Sequence, residues 1–259
     1  MVTTEYRTTA TRTPVQIPQY TAATVVGIWA LAALPMAAMA WLVTPLVEDR
    51  FDGPTALIRA LVVSLTAGLV WQFVVVLAIV RREQGSLQWS VLREALWLRA
   101  PEHPRSGRRG GRVWLIMVPL VLAVAAKEML PSFPSPDSRD LGLFLDSDAG
   151  QGFLSGNWGW FAVIVTMFVF NTVLGEELLF RGLLLPRMQG AFGRWDWAAN
   201  AVLFGLYHLH VPWSMHKNVL SGFLYAYPTR RYRSALVGIA VHSVQSVIFT
   251  ILLLALVLK

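Results

Sequence analysis

The chain has 259 residues, of which 55% are hydrophobic and only 14% charged, with 11 tryptophans and no cysteine. A soluble domain carries roughly a quarter charged residues, so a water-facing exterior is excluded, and the missing cysteines exclude disulfides, thiolate ligands, a thiol nucleophile and a lipidated cysteine. The net charge of +7 sits in short segments between apolar runs, a mark of membrane topology rather than of binding to nucleic acid, and no nucleic-acid partner is expected.

Residues 1–20 are polar and threonine-rich with Pro14 and Pro18, which reads as a flexible tail. Beyond it, residues 21–259 carry continuous rather than alternating apolar runs. These predict an all-α, polytopic transmembrane helix bundle, because lipid offers backbone groups no partners and a span needs about 20 apolar residues. About seven spans are expected, near 22–45, 55–80, 112–130, 158–187, 195–212, 216–229 and 234–258. Arg7 and Arg12 precede the first, and Ala38-Met39-Ala40 resembles a signal-cleavage site. The run continues through Trp41, Leu42 and Val43, however, so a retained span is predicted, kinked at Pro35. The 216–229 segment, with Gly222 and Pro228, reads as incomplete or re-entrant.

Charge orients the bundle. Arg81, Arg82, Arg93, Arg99, Arg105, Arg108, Arg109 and Arg112 fill the 81–112 connection, where Trp89, Val91, Leu92, Leu96 and Leu98 predict a helix lying on the inner surface. Arg187 with Arg194, and Arg230 with Arg231 and Arg233, mark two further basic turns. The acids Glu48, Asp49, Asp52, Asp137, Asp140, Asp146 and Asp148 occupy other loops. Seven crossings with a cytoplasmic N-terminus put every arginine turn inside, in a membrane expected to be the bacterial cytoplasmic one.

Several ionisable residues fall inside predicted spans, where each costs about 2.5–3.5 kcal/mol at the helix centre and is a functional candidate by default. Glu177 and Arg181 are four apart and share a helix face, whereas Glu176 points about 100° away. Asn200, Phe204 and His208 form one stripe on the next span. His210 lies about 200° round from His208 on a regular helix and reads as a packed or interfacial residue. His242, Gln245 and Ser246 share a face of the last span. Counting 1.5 Å per residue from the cytoplasmic ends puts Glu176 roughly 16 Å deep, His208 roughly 20 Å and His242 roughly 12 Å. All three fall in the middle third of a core about 30 Å thick.

A carboxylate and two imidazoles at one depth are the parts of a hydrolase: Glu176 as general base, with an imidazole or amide for the oxyanion. Glu176, His208 and His242 are equally a candidate set for a divalent metal such as zinc, and spacing does not decide between the two. No His-Glu-x-x-His helix is present, and Ser221 or Ser155 as a nucleophile is the weaker alternative. A proton-coupled carrier using the same Glu and His residues as a relay is a further rival.

Glu176-Glu177-x-x-x-Arg181, then Phe204-x-x-x-His208, then His242 after Gly238-Ile239, closely resemble the three motifs of the CPBP family, which covers type II CAAX prenyl endopeptidases, bacteriocin-processing and self-immunity proteins. The resemblance spans about residues 158–250. It implies an intramembrane endopeptidase acting near a membrane-embedded or lipidated C-terminal tail, with a membrane-anchored peptide or prenylated protein as substrate and a mouth toward the cytoplasm. Glu176 would activate water, Glu177 would pair with Arg181, and His208 and His242 would complete the site. The family has been described both as metalloproteases and as metal-independent glutamic peptidases. It usually carries Asn or Asp four residues after the last histidine, where this chain has Ser246, so Ser246 or Gln245 would have to meet the oxyanion. That departure supports the rival of a non-catalytic immunity or scaffold protein with the same fold.

Overall fold

Long apolar runs with no helix-breaking cluster become long helices. The computed structural model describes residues 15–131, 133–135 and 139–259; Arg7, Arg12, Pro14 and Asp137 lie outside these residues. Among the described residues there is no strand, only one isolated bridge between Glu102 and Arg109. Four helices are long and apolar enough to cross a membrane: α1 (Ala22–Glu48), α2 (Ala56–Gln84), the helix Trp158–Arg187 and the helix Ala235–Val257. Pro35 lies inside α1, and the chain widens into π-helical turns at Met39–Val43, where the Thr44 hydroxyl donates to the Met39 carbonyl at 2.9 Å.

The other three expected spans are helical, but none is both long and apolar enough to be counted with these four. Between α2 and the Trp158 helix come the short α3 (Trp89–Ala95) and α4 (Met117–Glu128). We number Trp158–Arg187 as α5, followed by α6 (Asp196–Tyr207), α7 (Met215–Tyr232) and, last, α8 (Ala235–Val257). The 12 residues of α6 rise only about 18 Å, short of a bilayer core. It forms a hairpin with α7, which holds Lys217, Arg230 and Arg231 and is too polar to count. A side chain at Gly222 would sit 2.6 Å from the Ala201 carbonyl oxygen, so the two backbones touch as only small residues allow. The inner-surface helix expected across 81–112 is confined to α3, with Trp89 exposed and Ala95, Leu96 and Trp97 buried.

The basic turns meet at one end of the bundle. Arg187 lies wholly inside, its Nε 3.1 Å and its Nη2 2.6 Å from Glu83 Oε2, and its Nη1 donating to the carbonyls of Ala95 (3.1 Å) and Leu183 (2.9 Å). Asp196 pairs with Arg230, and the amides of Ala235 and Glu102 donate to the carbonyls of Trp97 and Tyr232. Residues 15–20, expected within a flexible tail, are instead pinned here. The Tyr20 amide donates to the Arg187 carbonyl at 2.8 Å, the Gln19 side chain to the Pro186 carbonyl at 3.0 Å, and the Tyr20 hydroxyl to Glu83. Burial, reinforced by that carboxylate, pushes the Tyr20 phenol above its ordinary pKa. At the opposite end the Trp41 indole donates to the Leu209 carbonyl (2.9 Å), and the Gly156 amide to the Val257 carbonyl (3.0 Å).

Candidate active site

Two π-helical stretches, Phe170–Gly175 and Leu178–Leu184, flank Glu176 and Glu177 on α5. Turns of this kind recur where a helix must re-aim side chains at a functional site. Here the adjacent carboxylates separate. Glu177 is fully buried, and its Oε1 lies 3.2 Å from Arg181 Nη1, an ion contact without hydrogen-bond alignment. The same Oε1 is 3.2 Å from His242 Nδ1 on α8. That approach is possible because Gly238 packs against α5: a Cβ there would stand 2.5 Å from Glu177 Oε2. Any side chain at that position would push the carboxylate off His242.

Glu176 faces a different partner. Its Oε1 lies 3.9 Å from His208 Nε2, too far for a direct hydrogen bond and suited to a shared water. His208 closes α6, with its Nδ1 2.8 Å from the Phe204 carbonyl. That contact fixes the Nδ1–H tautomer and leaves the Nε2 lone pair toward Glu176. The Tyr207 hydroxyl, on the residue before His208, accepts from Gln72 Nε2 of α2 at 2.6 Å.

An aromatic shell fixes the rest. The Arg181 guanidinium lies 4.1 Å from the Phe204 ring centroid and 5.2 Å from that of Tyr225. The Tyr225 ring stacks on His242 at 5.0 Å with planes 20° apart. Asn200, on the stripe with Phe204 and His208, donates to the Phe180 carbonyl at 2.8 Å and serves packing.

These groups border one cavity of about 310 Å³, lined among others by Glu176, His208, His242, Gln245 and Ser246. Glu177 and Arg181 stand behind it, reaching the cavity through His242. Ser246 is thus brought to the site along with Glu176, His208 and His242. His210 is there too, contrary to the expectation of a residue facing elsewhere. The helix ends at Tyr207, and in the irregular turn that follows the His210 ring stacks on His208 at 5.4 Å. Sequence reasoning also missed Tyr207, Gln72 and Lys127, whose Nζ donates to Ser221 at 2.8 Å on the cavity wall. Polar residues lodged in apolar stretches were the available signal.

Among the described residues no three His, Cys, Asp or Glu side chains group closely enough to hold an ion. The Nδ1 contacts of His208 with Phe204 and of His242 with Glu177 fix both rings and leave each Nε2 as the nitrogen for chemistry. Arg194, Arg230, Arg231 and Arg233 line a separate pocket, whereas this cavity is lined by Lys217, Asn218, Ser221 and Tyr225 earlier on α7 and by His242, Gln245, Ser246 and Phe249 further along α8.

Fold and site together define a helical membrane protein with a cavity lined by a carboxylate and imidazoles. Residues 157–248 match the family described as type II CAAX prenyl endopeptidase Rce1-like, and Glu176, Glu177, Arg181, His208 and His242 all fall inside that segment. No curated protein and no solved structure matches the chain.

Proposed function

We propose that this protein is an intramembrane endopeptidase that hydrolyses a peptide bond of a membrane-anchored substrate by a metal-free, glutamate-activated water. The observation that carries this reading is the 3.9 Å gap between Glu176 Oε1 and His208 Nε2 on the cavity wall, two acceptors able to share one water. Glu176 takes a proton from that water as the oxygen adds to the substrate carbonyl. His242, whose ring is held at Nδ1 by Glu177 as a carboxylate holds the imidazole of a hydrolytic triad, meets the oxyanion through Nε2–H in its imidazolium form. Ser246 or Gln245 adds a further donor. Glu176 then returns the proton to the leaving amine, so one water and one amide become an acid and an amine. Arg181 acts at a distance, holding Glu177 in place.

The family match supports a membrane-anchored substrate, since its description names prenyl endopeptidases. Orientation follows the charge: the arginine end is cytoplasmic, and with it the chain from residue 15. Ser246 in place of Asn or Asp favours a second reading, a non-catalytic protein of the same fold. Glu176→Gln decides between them. It should abolish cleavage of a co-expressed membrane-anchored substrate with expression intact, whereas retained cleavage removes the proposal.

A further inference from the structure

Every helix that borders the cavity meets it away from its arginine turn, by little more than one helical turn at Tyr225 on α7 and by more elsewhere, and the lining extends toward the far end. α4 follows Arg112 and reaches the cavity at Lys127; α6 follows Arg194 and reaches it at His208. α7 lines it with Asn218 before ending in Arg230 and Arg231, and α8 leaves Arg233 and reaches it at Ser246. α5 contributes Asn171 and Glu176 and only afterwards arrives at Arg187. Burial runs the same way. Glu176 is 1% exposed and His208 7%, whereas Ser214 and Asn218 are half-buried and Glu128 is exposed. The rim sets Ser214, Asn218 and Glu128, which suit water, beside the apolar Val211 and Phe249.

Arginine-rich turns remain on the cytoplasmic side of a membrane. We infer that the cavity is entered from the extracytoplasmic face, and that its substrate is a membrane-anchored peptide whose cleavable segment lies on that side. An exported precursor, or the outward tail of a membrane protein, has the required placement; a lipidated terminus on a cytoplasmic protein does not. The substrate class rests on the hydrolytic reading above, while the orientation rests on the arginines alone.

The absence of cysteine makes the test direct. Single-cysteine variants Met129→Cys and Asn218→Cys report the cavity end, and Ser106→Cys, in the exposed 103–109 turn, reports the arginine end. The full chain is labelled with a membrane-impermeant maleimide in spheroplasts of an expressing bacterium, before and after lysis. The expected result is labelling of Met129→Cys and Asn218→Cys in intact spheroplasts, and of Ser106→Cys only after lysis. The reverse pattern, or labelling of all three from outside, overturns the orientation. In a second arm, labelling Asn218→Cys from outside should stop cleavage of a co-expressed substrate; continued cleavage at full labelling overturns entry by this mouth. If the unmodified protein cleaves nothing, the hydrolytic reading fails, and the labelling pattern still decides the orientation.

Discussion

Arg181 and Arg187 lie six residues apart on one helix, both wholly buried, and their surroundings differ completely. All three nitrogens of Arg187 donate hydrogen bonds, to Glu83 and to two backbone carbonyls, at the arginine end where the chain from residue 15 is also tied down. Arg181 sits among aromatic rings, its Nε and Nη1 lack hydrogen-bond partners, and so does Oε2 of its companion Glu177. A saturated buried pair locks packing. An unsaturated one leaves part of its field uncancelled, which is useful only where charge is to develop nearby. The contrast separates a structural lock from a working site on the same helix, and substitutions at each should fail differently.

The largest effect is expected at Glu176. Glu176→Gln keeps the shape and removes the proton acceptor, so turnover should fall about 10²–10⁴-fold, the usual contribution of a general base, while the melting temperature stays near that of the parent. Purified protein in proteoliposomes, assayed for cleavage and melting together, checks both halves; a large drop in stability would make Glu176 part of a lock. Arg187→Met should do the opposite. Breaking a buried ion pair costs roughly 3–5 kcal/mol, so folded protein should be lost on size-exclusion chromatography. Adding Glu83→Gln to Arg187→Met should recover part of that loss, because the stranded charge is gone. Next comes Glu177→Gln, which loosens His242 without touching the water. Supporting groups of this kind are worth about 10–100-fold, expected in kcat with KM unchanged. A KM effect alone would show that Glu177 shapes the cavity instead.

The four long helices were legible because twenty or more apolar residues in a row admit one structure in lipid. The Glu177–Arg181 contact followed from helix spacing, and counting rise per residue brought Glu176, His208 and His242 to one depth. What escaped depends on where helices stop and how they rotate. Extending α6 in regular turns sent His210 away from the site, but the helix ends at Tyr207. The bond from His242 to Glu177 needs the close approach at Gly238, a tertiary contact that no spacing encodes. Charge fixed which turns gather at one end, yet said nothing of which residues line the cavity. Residues 15–20 looked free because threonine- and proline-rich sequence has no helical period, although extended chain can still be tied down by hydrogen bonds.

The smallest predicted effect falls on a residue outside every motif. Gln72 is a polar group in the middle of α2, fully buried, and its amide donates to the Tyr207 hydroxyl at 2.6 Å. Tyr207 precedes His208, whose Nε2 faces Glu176 at 3.9 Å, and neither Gln72 nor Tyr207 borders the cavity. The pair therefore steadies the end of α6 that carries His208 without contacting substrate. Gln72→Leu removes one hydrogen bond, worth about 1 kcal/mol net, and leaves Tyr207 free to rotate. Turnover should fall about fivefold, equivalent to that energy, with KM unchanged. The melting temperature should shift little, because leucine also removes Gln72 Oε1, which has no hydrogen-bond partner in its buried position. Tyr207→Phe should lower turnover similarly, and the double variant should be no worse than either single one if the two act as a relay. Additive losses would instead make Gln72 a packing residue of α2 and leave His208 positioned by its contact with the Phe204 carbonyl.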